Sequence, residues 1–296
     1  MRSSTLQYEA TTHVRLVPTS KTRNAARGHS YGRNLSDWSS PAGLQKRPWL
    51  ARLRKALDEE RFVVHYQPIV SLKDGGASHY EALVRLADEP SGRLVMPGKF
   101  LPAAERYGLV RDIDRLVLSQ ILRLLGARAE ARRSTAQGTR IAVNLSALSV
   151  TDPKMLAYIA EGLASHRVDP GLLVIEITET AAISDMTVAR AFCEGVSALG
   201  CAVALDDFGA GFGSFQYLTR LPCDYLKIDG SFVRNLASSR GDRLIVQALA
   251  DLARGMGVRT IAEYVTNRAT LDLLRDYGVD YAQGYELGRP HSRPAL

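Results

Sequence analysis

Eight polar residues of this 296-residue chain stand in or directly after short apolar runs, a placement that suits chemistry at the ends of strands. Glu81 lies within the run 78–86, Asn144 follows Ile141-Ala142-Val143, and Glu176 closes Leu172-Leu173-Val174-Ile175. Asp206 and Asp207 follow Val203-Ala204-Leu205, and Lys227 lies in Tyr225-Leu226-Lys227-Ile228-Asp229. Glu263 follows Thr260-Ile261-Ala262, and Gln283 follows Asp280-Tyr281-Ala282. Taken singly, any of these acids reads equally well as an ion-pair partner. Five carboxylates aimed at one mouth are a different case, because their repulsion raises pKa values unless cations neutralise them. Lys227 supplies one positive charge, and two divalent ions would supply four more, balancing the five acids. The donors are all oxygens, without His or Cys, which favours Mg²⁺ or Mn²⁺ over zinc. The adjacent Asp206-Asp207 pair suits a bridge between two ions, so the pattern reads as a two-metal hydrolase.

Such a cluster needs a frame that gathers distant residues at one end. Residues 51–60 read as a short helix, 62–70 as a strand broken by Pro68, and 78–86 as a second strand. The Lys73-Asp74-Gly75-Gly76 turn between these strands predicts antiparallel pairing. Further strands are expected at 141–145, 172–177, 202–205, 225–228, 259–262 and 281–283. Helical stretches at 110–131, 153–166, 187–199, 214–220, 240–256 and 268–276 separate them. Short apolar strands alternating with helices imply a parallel sheet covered on both faces. Eight strands in this length fit an α/β fold of the (β/α)8 TIM-like barrel type, with its first strand antiparallel, better than an open sheet. In such a barrel the C-terminal strand ends face the mouth.

Hydrophobic residues at 46% and charged residues at 23% are ordinary for a soluble globular domain. The chain has no apolar run long enough to span a membrane, and its polar start lacks the apolar core of a secretory signal, so a cytoplasmic protein is expected. Cys193, Cys201 and Cys223 lack CxxC spacing and read as reduced, buried small hydrophobes. The net charge of +7 is unevenly placed: residues 1–49 hold eight Lys or Arg against Glu9 and Asp37, and the rest holds 30 basic and 29 acidic residues. Residues 1–46 therefore read as a basic, flexible extension and 47–296 as the main domain. A nearly neutral domain is not expected to bind a nucleic acid polymer.

The motifs also resemble a known family. Tyr66-Gln67-Pro68-Ile69-Val70, Glu81-Ala82-Leu83-Val84-Arg85 and Asn144-Leu145-Ser146 are similar to the opening motifs of EAL-domain cyclic di-GMP phosphodiesterases. Glu176-Ile177-Thr178-Glu179, Asp206-Asp207-Phe208-Gly209, Lys227-Ile228-Asp229, Ile261-Ala262-Glu263, Gln283-Gly284-Tyr285 and Gly288-Arg289-Pro290 continue the pattern in order. The resemblance spans about residues 55–291. It implies hydrolysis of cyclic di-GMP to linear pGpG by a homodimer, with two Mg²⁺ or Mn²⁺ ions. Glu81, Asn144, Glu176 and Asp206 would hold one metal; Asp206 would also reach the second, shared with Asp207 and Glu263. Lys227 would act on the attacking water, making it catalytic together with Glu81 and Glu263. Arg85 would grip a phosphate with its planar fork. Gln67, Leu83, Asp229, Gln283 and Pro290 would complete the substrate contacts. Glu179 would tie down the glycine-rich loop 208–215, which in the family links the metals to the dimer surface.

The chain departs from the family pattern in two places. It reads Glu263-Tyr264-Val265-Thr266 where Glu-Gly-Val-Glu is usual, and Ala210, Phe212 and Gly213 where Thr, Tyr and Ser are commoner. Every implied metal ligand is retained. Two other readings stay open: a receptor that binds cyclic di-GMP without turnover, and an interaction module that has lost the nucleotide.

Overall fold

Among the described residues, the apolar runs fold as nine strands in one sheet. They are β1 (Phe62–Ser71), β2 (Ala77–Ala87), β3 (Leu94–Val95), β4 (Arg140–Leu145), β5 (Leu173–Thr178), β6 (Ala202–Phe208), β7 (Tyr225–Ile228), β8 (Arg259–Ala262) and β9 (Tyr281–Ala282). The computed structural model describes residues 47–88, 91–131, 138–209 and 218–294. The extension 1–46, residues 214–217 of the expected helix 214–220 and residues 210–215 of the loop 208–215 lie outside this description.

The strand order β1-β9-β8-β7-β6-β5-β4-β2 closes on itself through the β1–β2 pairing, and β3 hangs outside this eight-stranded ring on β2. β1 runs antiparallel to both its neighbours, while β2 and β4 through β9 are parallel. The closed (β/α)8 barrel with an antiparallel first strand is therefore as the sequence predicts. Helices Val110–Ala131, Met155–His166, Met186–Ala198, Arg240–Met256 and Arg268–Asp276 alternate with the parallel strands. Strand residues facing outward, such as Ile141, Val143, Ile175 and Val203, share one apolar core with helix residues such as Leu118, Ile121, Ile159 and Val196. Among the described residues, no helix is long and apolar enough to cross a membrane.

Pro68 does not break β1. It pairs opposite Tyr80 inside a continuous register. The Tyr66 amide points away from β2, to the His291 carbonyl at 2.7 Å. The position two residues on points the same way, so the missing N–H of Pro68 costs β2 no ladder bond. Additions to the predicted set are β3, a helix at Pro97–Arg106, and short helical segments at Ala147–Val150, Pro170–Leu172, Glu179–Ser184 and Gly230–Val233. The helix at Pro97–Arg106 is masked in the sequence by Pro97, Gly98 and Pro102, although Pro97 occupies the first turn, where a missing donor is harmless.

Inside the ring, side chains turn inward at every second residue. One interior layer holds Ile69, His79, Ala142, Val174, Ala204, Tyr225, Ile261 and Tyr281. Its large rings face small alanines, which fills the interior of an eight-stranded barrel. One step towards the mouth come Gln67, Glu81, Asn144, Glu176, Asp206, Lys227, Glu263 and Gln283. Seven of the eight polar residues singled out in the sequence, all but Asp207, thus belong to one layer of the barrel.

Candidate metal centre and cavity

Lys227 is the hub of that layer. Its side chain is 0% exposed, and its Nζ lies 2.9 Å from Asp206, 2.9 Å from Glu263, 3.0 Å from Glu176 and 3.6 Å from Glu81. The neutral amides finish the network. Asn144 Nδ2 donates to Glu81 Oε1 at 2.7 Å, and Gln283 Nε2 donates to Glu81 Oε2 at 2.7 Å. Gln283 also reaches Gln67 Oε1 at 3.2 Å, and Gln67 Nε2 donates to the Gly288 carbonyl at 3.1 Å.

The Asp206-Asp207 pair is placed by a break in strand regularity. Neighbours on a strand normally face opposite sides. Here the β6–β7 register shifts between Leu205 and Phe208, and Asp207 adopts a left-handed backbone with φ of 53°. The irregularity turns both carboxylates to the mouth, as bulges beside functional sites do.

The electrostatics follow from this crowding. Burial raises the Lys227 cost of carrying charge, yet Asp206, Glu176, Glu263 and Glu81 outweigh it and hold the ammonium firmly protonated. Burial also pushes Glu81, Glu176, Asp207 and Glu263 up. For Glu81, Lys227 and the bonds from Gln283 and Asn144 win, and its carboxyl falls below the usual value. Glu176 is carried well above it by burial and by Glu81 and Asp206, against the pull of Lys227. Glu263 is pushed to about 8 by burial and by Asp206 and Glu81, and Asp207 to about 6 by burial and Asp206. One lysine is too little charge for this cluster.

The donor set fits divalent cations. Glu81, Glu176 and Asp206 each offer an oxygen within 4.8 Å of the others, and so do Asp206, Asp207 and Glu263. Asp206 belongs to both groups, and Glu176 Oε1 is buried with no hydrogen-bond partner among the described residues. Hard oxygen donors of this kind suit Mg²⁺ or Mn²⁺.

Above the cluster opens a cavity of about 400 Å³. Glu81, Asp206, Asp207, Glu263 and Gln283 reach it, and Gln67, Leu83, Arg85 and Pro290 line it as the sequence motifs imply. Arg85 is buried and donates Nη1 to the Val84 carbonyl at 2.9 Å. Asn144, Glu176 and Lys227 stand outside the lining, the last two fully buried. Asp229 also stands outside it, its carboxylate accepting from the Ser231 amide at 2.8 Å at a helix start. Glu179 accepts from the Gly209 amide at 3.1 Å, directly after β6.

Six lining residues and one buried one were not singled out by sequence for these places. Met96, Pro97, Tyr264, Thr266, Gly284 and Tyr285 line the cavity. His79 is 0% exposed one layer beneath Glu81, its ring centroid 5.3 Å from Tyr225 and 5.2 Å from Tyr281. Burial, reinforced by Arg140, Lys227 and Arg259, drops its pKa to about 3. The signal available was its spacing of two before Glu81. The three cysteines are free, Cys193 and Cys201 buried as expected and Cys223 only half-buried, with burial pushing them to about 12, about 11 and about 12.

The segment after Glu263 keeps its course despite the altered motif. Tyr264 takes a left-handed backbone with φ of 55°, the conformation a glycine would adopt most easily. The Val265 amide donates to Gln283 O at 3.0 Å, and the Glu286 amide to Val265 O at 3.1 Å. Gly284 lies directly against this backbone, where a Cβ would stand 2.1 Å from Val265 O.

Comparison with known proteins agrees with the geometry. The EAL domain family model matches residues 50–290. The cyclic di-GMP phosphodiesterase PdeB of Shewanella oneidensis is 39% identical over 246 residues, 82% of this chain and 28% of that protein. The chain spans about a third or less of the length of the curated relatives it matches. The PaMucR phosphodiesterase in complex with c-di-GMP superposes with a TM-score of 0.77 at 36% identity, over 84% of this chain and 98% of that one. The FimX EAL domain from Pseudomonas aeruginosa bound to c-di-GMP gives 0.75 at 33% identity, over 83% and 97%. With a closed barrel, the ordered motifs and a family match over most of its length, the chain belongs to the EAL-domain family.

Proposed function

We propose that this chain is a metal-dependent phosphodiesterase that hydrolyses cyclic di-GMP to linear pGpG, lowering the level of that second messenger. The observation that carries the proposal is the pair of carboxylate groups sharing Asp206 at the floor of the cavity. Glu81, Glu176, Asp206, Asp207 and Glu263 bring five acidic groups against the single charge of Lys227. Two Mg²⁺ or Mn²⁺ ions balance the remaining four, with Asn144 completing one ligand set. When bound, such ions neutralise the phosphodiester and acidify the attacking water.

The chain's own residues divide the remaining work. Glu81 is held on both oxygens by Asn144 and Gln283, so its lone pairs are aimed before any ligand arrives. Lys227 keeps its proton beneath the cavity, among its four carboxylates, as the group that serves the attacking water. Arg85 lines the cavity as the phosphate grip, with Gln67, Leu83, Gln283 and Pro290 as further contacts. Asp229 serves the site from outside the cavity, through its helix start. Glu179 fixes the start of the loop at Gly209, and the rest of that loop is assigned to regulation at the surface of a cytoplasmic homodimer.

The relatives named for cyclic di-GMP hydrolysis or binding support the choice of substrate. Thr266 lines the cavity where a second acid is usual, which favours one alternative, a receptor without turnover. Incubation of the purified full chain with cyclic di-GMP and Mn²⁺ or Mg²⁺ decides between them. Linear pGpG formed only with metal supports the enzyme. Tight binding that survives chelator, with no linear product under any metal condition, supports the receptor and overturns the enzyme.

A further inference from the structure

The cavity has an acidic floor, but part of its rim is aromatic. Tyr264 and Tyr285 both line it and are 53% and 56% exposed, unusual for large rings. Tyr264 is also held in place. Its left-handed backbone, φ 55°, is one that side chains other than glycine rarely adopt. Such an outlier beside a site points to function. The inner part of its ring rests on Gly230, where a Cβ would stand 2.2 Å from Cδ2, so only glycine admits it there. The Arg234 guanidinium lies over the ring, 4.2 Å from its centroid, as Arg289 lies 4.4 Å from that of Tyr285.

We infer that Tyr264 is a substrate-contacting wall of this cavity, a stacking surface for one purine base of the nucleotide, and therefore a determinant of affinity. The inference rests on the cyclic di-GMP reading above. Tyr264 directly follows Glu263, so the two Cα atoms are about 3.8 Å apart. A ligand whose phosphodiester sits among the carboxylates must carry its sugar and base past this ring. Phosphates alone do not need an aromatic rim, whereas a planar base does. The ring is already oriented by Gly230 and Arg234, so binding freezes little additional motion. The arginine occupies one approach to the π system, and the ring lines the cavity.

The test is steady-state kinetics on the full chain with cyclic di-GMP, alongside melting curves. Tyr264→Ala should raise KM by about 5- to 100-fold, the range set by loss of one base–aromatic stack. Its kcat should change far less, since the ring takes no part in bond breaking. Tyr264→Phe keeps the ring and should keep the wild-type KM. Arg234→Ala, which leaves the Tyr264 backbone untouched, should raise KM by about 2- to 5-fold through loss of the brace, and it serves if Tyr264→Ala fails to fold. An Ala variant with wild-type KM overturns the inference. So does one that loses kcat at unchanged KM, which would mean that the residue acts through Glu263, and so does a Phe variant as impaired as Ala. A wild-type chain that neither binds nor cleaves cyclic di-GMP overturns the proposed function, and this inference with it.

Discussion

Replacing Lys227 by methionine would remove the only cation among four carboxylates while keeping an unbranched apolar stem of similar length. Breaking a buried ion pair by deleting one partner costs about 3–5 kcal/mol, because the other charge is left uncompensated. At about 2–4 °C per kcal/mol for a domain of this size, the metal-free variant should melt roughly 6–20 °C below the wild type. The loss should depend on pH. Glu263, pushed to about 8 even with Lys227 present, holds a proton in the folded state that it would release on unfolding. A carboxyl whose folded pKa is raised contributes stability at low pH that is lost as the pH climbs through that value. The Lys227→Met deficit should therefore be largest near pH 8 and shrink near pH 6. Divalent ions take over the missing charge, so Mn²⁺ should raise the melting temperature of the variant more than that of the wild type. The assay is a set of thermal melts in chelator and in excess Mn²⁺ at both pH values. Equal melting of variant and wild type in chelator, or a deficit independent of pH, would refute the charge-balance argument. In turnover with Mn²⁺ the variant should lose about 10²-fold in kcat if the ammonium also serves the attacking water.

Glu81→Ala and Asp206→Ala should each abolish metal-dependent hydrolysis, since each removes an oxygen from the shared clusters; wild-type turnover in a chromatographic product assay would show the ligand assignment to be wrong. Asp207 titrates at about 6, and only its ionised form attracts a cation, so the metal concentration for half-maximal activity should rise as the pH falls through 6. Asp207→Asn should flatten that profile, and an unchanged profile would remove Asp207 from the site. Gly284→Ala would drive a Cβ to 2.1 Å from Val265 O, a backbone atom that cannot swing away. It should lower stability by about 2–4 kcal/mol in chemical denaturation, as overpacking of a rigid neighbour does, and displace Gln283 from Glu81; near-normal stability would mean that the two segments separate easily.

Much of the fold was legible because a barrel strand carries a simple message. Runs such as Ile141-Ala142-Val143 and Val203-Ala204-Leu205 are apolar on both faces, as parallel strands covered on both sides are. Each ends in a polar residue, and order along the chain maps to order around the ring, so the acidic layer could be anticipated one residue at a time. Turn and proline signals were weaker guides. Pro68 looks like a breaker until its neighbour Tyr66 is seen bonding to His291, a partner 225 positions along the chain. The helix at Pro97–Arg106 is hidden by its own prolines.

What the sequence determined by itself was the inventory: five acids, one lysine and two amides, spaced so that period-two alternation places all but Asp207 on the inner face. Tertiary structure alone decided how these charges share space. The register shift at Asp206 and Asp207 turns two neighbours the same way, against strand alternation. Ring closure brings Glu81 to Gln283, 202 positions apart, and leaves Lys227 among four carboxylates with no exposed surface. The parallel pairing of β7 and β8 sets Tyr264 against Gly230 and Arg234, neither of which any local pattern connects to it. Pairwise distances across a barrel depend on strand order and shear, not on residue type, so the chemistry was readable in the chain and its electrostatics only in the fold.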